Sequence, residues 1–387
     1  MVVPTRYMPW VLEQPETILS QFETNRQFMC GDYTMLNLLN NGWHKIGDRA
    51  KRELTHGLDD FVPDIVDEVE DALRALWGSD ESAWHEMVLY DIMLEVVGRV
   101  VNRILVGKPL CRNPGYLQAS TSFSKYILLP AMAIELLPGF AKPCLGPVLT
   151  AWDRLQYRRM SAYISPIFQA RVARLGYGPD TTAFFIPGEK EKKEPNDYIQ
   201  WSIRDALRQG DSPYDPDDLM TKRLAITTFT AVQSSAITIT NAVIDLAACE
   251  DSYAVQALLR EEVAGANGVW TRASLAKLPR LDSVLTETLR LWGILTHGVT
   301  KAVVAKEGVT IPTGEHIPCG AKVGVASYGP HLDADVYGHG AEKFDPWRFT
   351  RVEVREGLGK KEGMAPGLGF VTTSEYYMGF SHGRFAW

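Results

Sequence analysis

Apolar residues recur at i, i+3, i+4 and i+7 through residues 91–107, DIMLEVVGRVVNRILVG, with Glu95, Arg99 and Arg103 interspersed. That period predicts an amphipathic or largely buried helix. Residues 60–77, 149–175 and 219–248 carry the same spacing and predict three more long helices. The texture changes after Arg290. Glycine and proline become dense, and β-branched pieces such as Val309-Thr-Ile-Pro-Thr-Gly and Ala321-Lys-Val-Gly-Val-Ala predict short strands joined by turns. The expected architecture is mainly α with small β regions, a single domain over 1–387. Its helical body covers 1–290 and its sheet-and-loop region covers 291–387. A charge run beginning at Gly188, GEKEKKEPND, reads as a solvated loop.

Composition narrows the alternatives. An apolar fraction of 45% over 387 residues is ample for a deep core. A net charge of -7, from 40 Lys plus Arg against 47 Asp plus Glu, argues against a sequence-wide attraction to nucleic acid. Five cysteines, odd in number and without CxxC or zinc-site spacing, read as free thiols in a reducing compartment. The eight histidines show no HExxH spacing, and GxSxG and P-loop patterns are absent, so a non-heme metal site is not expected. The opening MVVPTRYMPWVLEQPETILSQ reads as neither signal peptide nor anchor. Residues 126–140 are apolar, but Pro130, Glu135 and Pro138 interrupt them, so they are too broken to span a bilayer.

Three short motifs carry the candidate chemistry. Glu287 and Arg290 lie three apart and so share one helix face. Arg348 follows in Phe344-Asp-Pro-Trp-Arg-Phe349, after the strand region. Two planar guanidinium groups gripping one carboxylate would fix a helix against a distant loop. The alternative for Glu287 and Arg290 is a routine surface i,i+3 pair. The third motif is Phe380-Ser-His-Gly383, followed by Arg384, Phe385, Ala386 and Trp387.

The order of these motifs, with Ser327-Tyr-Gly-Pro-His331-Leu-Asp-Ala-Asp335 between them, resembles the cytochrome P-450 monooxygenases. Asn196-Asp-Tyr-Ile-Gln-Trp201 and Asn241-Ala-Val-Ile-Asp-Leu-Ala resemble fungal members that oxidise terpenoid and related secondary metabolites. The resemblance covers essentially the whole chain. It implies a cytochrome P-450-like helical fold, heme b on a cysteine thiolate, and a lipophilic small-molecule substrate. It also implies electrons from NADPH-cytochrome P-450 reductase at the cytosolic face of the endoplasmic reticulum membrane, where a full-length relative resides. No nucleic-acid partner is implied.

Carried over by position, Phe380 and Gly383 open the loop of the heme-ligand cysteine, and Trp387 stands at the cysteine position. Arg384 and Lys301 fall where propionate contacts occur, Phe385 stands where many members place Arg or His, and Trp43, His44 and Arg49 lie in the region of a further propionate contact. On the distal side Ser234 takes the place of the usual threonine hydroxyl, and Gln233 takes that of an acid. Gln233 cannot ionise, so a proton relay would run through hydroxyls and water. The competing reading of 227–240 is a helix whose small polar residues bond back to its own carbonyls. The segments around 29–41 and 126–147 are expected to face substrate.

The chain is expected to be an incomplete version of such an enzyme, short at both ends, as a gene model read through an intron after Ala386 or a truncating mutation in a decaying gene would produce. It is expected to be inactive as it stands, to bind heme weakly or not at all, and to aggregate. Two other classes stay open. One is a non-catalytic remnant that binds a lipophile or a partner chain; the other is an unrelated helical enzyme in which Glu287 and Arg290 are a surface pair.

Overall fold

A computed structural model describes residues 1–40, 44–80, 82–176, 195–209, 218–293, 297–351 and 369–383, without side chains at 39–40, 44–56, 58 and 297. The expected helices are present. Residues 219–248 form one helix, Leu219–Ala248. The 91–107 period lies in Leu89–Leu105, and the 60–77 period ends a longer helix, His44–Leu76, that passes through Pro63. A short helix, Lys142–Leu149, precedes Ala151–Arg174, which carries the run expected over 149–175. Pro147, with no N–H to give, sits in the last turn of the first, and the Thr150 hydroxyl bonds back to the Gly146 carbonyl at 3.0 Å.

The chain divides into two compact units, 28–237 and 1–27 with 238–387. In the first, Tyr116, Phe123, Met160, Ile164, Ile199, Trp201 and Leu224 form a fully buried cluster. Leu89–Leu105 is tied to His44–Leu76 by charges that the sequence shows only as helix spacing. Glu68, wholly buried, accepts from Arg99 Nε and Arg112 Nε, both at 2.8 Å, and Arg103 pairs with Asp64. A buried carboxylate is tolerated when it is paired and hydrogen-bonded in this way.

The second unit holds the sheet. Strands β1 (Leu19–Ser20), β2 (His297–Val303), β3 (Val309–Thr310), β4 (His316–Ile317) and β5 (Lys322–Ala326) form an antiparallel sheet of order β1-β2-β5 and a separate β3-β4 pair. Val299, Val323 and Val325 pack with Met8 and Val11 of the helix Met8–Glu13. The expected change of texture falls inside this unit, where the helix Pro279–Leu291 ends. Among the described residues no helix is long and apolar enough to cross a membrane.

Candidate functional site

In the unit containing 238–387, Glu287 and Arg290 are both fully buried, so the surface-pair alternative does not hold. Arg290 grips Glu287 bidentately, Nε to Oε2 and Nη2 to Oε1, each at 2.7 Å. Arg348 reaches the same carboxylate from the loop, Nε to Oε1 at 2.9 Å. Its remaining guanidinium donors go to the carbonyls of Tyr337 at 2.7 Å, Gly340 at 2.9 Å and Lys343 at 3.1 Å. The Asp345 N–H also donates to Glu287 at 3.1 Å, and Arg290 stacks its cation 4.9 Å from the centre of the Tyr337 ring. One carboxylate thus fixes the helix to the Phe344–Phe349 segment, with nearly every donor used.

His331 extends this network. Its Nδ1–H donates to the Arg290 carbonyl at 2.9 Å, Arg290 donates back to the His331 carbonyl, and its Nε2 accepts the Met378 N–H at 2.8 Å. That pattern requires the neutral Nδ1–H tautomer. Burial pushes the imidazole down to about 4, opposed by its bond to the Arg290 carbonyl. Through Met378 the network holds the segment leading to Phe380 and Gly383. Phe380 meets Phe370 edge-on at 5.4 Å. Gly379 lies so close to the helix that a Cβ would stand 2.6 Å from Leu289 side-chain carbons. Gly383 has φ +72°, a conformation that favours glycine.

Lys301 is wholly buried on β2, and its ammonium donates to the carbonyls of Gln14 at 3.0 Å and Leu12 at 3.3 Å. The two runs that resemble fungal members also have local uses. Asp245 accepts from the Thr288 hydroxyl and the Trp292 indole, both at 2.9 Å. In the other unit Asp197 caps the helix Tyr198–Gln209 through the Gln200 N–H and pairs with both Arg171 terminal nitrogens.

Gln233 and Ser234 lie on Leu219–Ala248 within the unit 28–237. The Gln233 amide donates to the Ser124 carbonyl and accepts the Tyr90 hydroxyl at 2.7 Å, joining three helices. The Ser234 hydroxyl donates to the Thr230 carbonyl at 2.9 Å, the back-bonded arrangement that the sequence left open. Sequence reasoning missed Tyr90, His331 and Gly379, whose roles depend on residues far away in the chain. Trp43, Arg384, Phe385, Trp387 and most of the charge run lie outside the described residues, as do the side chains of His44 and Arg49.

The thiols are placed elsewhere. Cys30 and Cys111 are buried, and burial pushes Cys111 up to about 11; Cys249 is half-buried, while Cys144 and Cys319 are exposed. Each precedes Phe344 in the sequence.

Comparison with known proteins agrees with this layout. The family model described as Cytochrome P-450 matches residues 15–385. Cytochrome P-450 monooxygenase 151 of Postia placenta is 34% identical over 87% of this chain and 63% of its own length, so the chain spans less than two thirds of that relative. Cytochrome P-450 monooxygenase gloO of Glarea lozoyensis is 27% identical over 99% of the chain and 71% of its own length. Among solved structures, retinoic acid bound cyanobacterial CYP120A1 superposes with a TM-score of 0.61 at 17% identity, covering 97% of this chain and 74% of that one, a likeness of fold. A buried Glu287 cluster bracketing the Phe344–Phe349 segment and a family match over nearly every residue lead to one assignment: the chain belongs to the cytochrome P-450 family.

Proposed function

We propose that the protein containing these residues is a heme-dependent monooxygenase acting on a lipophilic small molecule of the terpenoid or related secondary-metabolite kind. The reaction places one atom of O2 in a C–H bond and reduces the other to water, with two electrons from NADPH delivered by NADPH-cytochrome P-450 reductase. The work is assigned to the cytosolic face of the endoplasmic reticulum membrane. The observation that carries this reading is the Glu287, Arg290 and Arg348 cluster in a chain matched by the family over residues 15–385.

Heme b bound through a cysteine thiolate supplies the oxidising chemistry, and the protein supplies binding and orientation. The described residues fit the support of the loop that would carry that group: His331 accepts the Met378 N–H, and Leu289 lies against Gly379. At the position where the resemblance places the ligand cysteine this sequence has Trp387, whose indole is no thiolate, so the residue present does not fit the ligation of that group. No step is therefore derived through the group, and residues 1–387 by themselves are assigned no turnover. Within this reading Glu287, Arg290 and Arg348 are structural. Phe380 and Gly383 shape the loop, Arg384 is a propionate contact, and Lys301 anchors the segment at Leu12 and Gln14. Ser234 supplies the distal hydroxyl, while Gln233 positions its helix through Tyr90 and Ser124.

The test is a Trp387→Cys chain loaded with heme b, combined with the reductase and NADPH, and screened by mass spectrometry against a panel of terpenoids. A product one oxygen heavier supports the reading. Heme-loaded protein that oxygenates nothing in the panel contradicts it.

A further inference from the structure

Strand β2 reaches both ends of the segment 378–383, within the unit that holds them both. At one end the contact is direct. A Cβ on Gly298 would stand 2.5 Å from the Met378 Sδ and 3.0 Å from its Cβ, so the strand lies against that side chain. At the other end it runs through the helix Met8–Glu13. Lys301, further along β2 and wholly buried, donates to the carbonyls of Leu12 and Gln14. Both lie at the C-terminus of that helix, where Gln14 turns extended at φ -60° and ψ 133°. Carbonyls there have no intrahelical donor, and an ammonium satisfies them while meeting the negative end of the helix dipole. The Leu12 side chain in turn faces Gly383, where a Cβ would stand 3.1 Å and 3.2 Å from its two methyl carbons. Gly383 is therefore small for two reasons, its φ of +72° and the nearness of Leu12.

We propose that Lys301 and Leu12 are positioning residues for the 378–383 segment: Lys301 seats the helix Met8–Glu13, and Leu12 on that helix sets the place of Gly383. His331 fixes the Met378 N–H and Gly298 abuts the Met378 side chain, so the Met378 end is held without the helix. The Gly383 end depends on Leu12, and Leu12 depends on the cation at 301. A methionine there would fill the space but leave both carbonyls without their donor. That the segment serves as a heme-ligand loop rests on the oxygenase reading. The contacts themselves involve no heme, so they are tested in the heme-free chain and can fail while that reading stands. A Lys301 acting only on a propionate would leave 378–383 in the heme-free chain indifferent to its replacement.

The experiment is hydrogen–deuterium exchange, read by mass spectrometry of peptides, on the full heme-free chain and its Lys301→Met, Leu12→Ala and Leu12→Met variants. Leu12→Ala should speed exchange of the 378–383 amides about tenfold. Leu12→Met, which refills the contact, should restore the parent rate. Lys301→Met should speed exchange in both 8–14 and 378–383, and the helix Ser252–Ala264 of the same unit should exchange as in the parent throughout. If Lys301→Met does not fold, the two Leu12 variants decide. An unchanged 378–383 segment in Leu12→Ala overturns the proposal, as does a Leu12→Met that exchanges like Leu12→Ala. So does a folded Lys301→Met with a parent-like 378–383 segment, or acceleration that extends equally to Ser252–Ala264. In the heme-loaded Trp387→Cys chain, Leu12→Ala should weaken a thiolate-type Soret band and Leu12→Met should keep it; a band untouched by Leu12→Ala also overturns the proposal. If that chain shows no such band with Leu12 in place, the oxygenase reading fails and the heme-free exchange still decides the positioning role.

Discussion

The Nε2 of His331 accepts the Met378 N–H at 2.8 Å, so one imidazole, bonded also to the Arg290 carbonyl, links the helix Pro279–Leu291 to a backbone segment 47 residues beyond the ring itself. The bond exists only while the ring is neutral. In the folded state His331 is lowered from 6.5 to about 4, so between those values the unfolded chain holds more protons. Its stabilising contribution is complete above about pH 6.5 and is lost as pH falls toward 4. Asp153 acts in the opposite sense, raised from 3.8 to about 7, so its contribution is present below 3.8 and is lost as pH rises through 7. Denaturant melts from pH 4 to 8 on the parent, His331→Gln and Asp153→Asn check both. The parent-minus-variant difference should rise with pH for the first and fall with pH for the second.

Removing one member of the Glu287 cluster leaves buried charge uncompensated. Glu287→Gln and Arg348→Met should each cost about 3–5 kcal/mol by urea unfolding, or abolish folding. The double variant should cost clearly less than the sum, because both changes break the same network. A loss below about 1 kcal/mol for Arg348→Met would match an exposed pair and contradict the buried geometry.

Gly379 is small because Leu289 lies against it. Gly379→Ala should destabilise by about 1–3 kcal/mol through overpacking, and Leu289→Ala in the same chain should recover part of that loss. Additive losses in the double variant would show that the contact is not the cause.

Much of this arrangement is legible in the sequence, and what escapes it has a common physical origin. Helical periods at 91–107 and 219–248 reflect which face of each helix is buried, and Glu287 with Arg290 is a local spacing. The helix expected over 149–175 is Ala151–Arg174, and the turn at Thr150 that precedes it, with its hydroxyl bonded back to Gly146, is a short-range feature that hydrophobic period does not encode. His331, Gly379 and Tyr90 have no local signature, because their partners at 378, 289 and 233 come near only in the folded chain. Asp197 and Asp245 stood out only by resemblance, and the fold gives each a physical use, one as a helix cap and the other as a link between helices.

Gln233 is held at both ends of its amide, by Tyr90 and by the Ser124 carbonyl. Tyr90→Phe should cost about 1 kcal/mol, and Gln233→Leu about 1–3 kcal/mol, since it leaves the Tyr90 hydroxyl unpartnered. A double-mutant cycle by thermal melts should show coupling between the two positions; independent effects would place them in separate networks.

The central proposal is that the family's heme would be held by a cysteine thiolate at the position where this sequence has Trp387, whose indole does not provide one. The most direct measurement is the reduced carbon monoxide difference spectrum of the heme-supplemented chain and of its Trp387→Cys variant. The account predicts a thiolate-type Soret band in the variant and none in the parent. The same band in the parent, or its absence from heme-loaded variant, would contradict the claim.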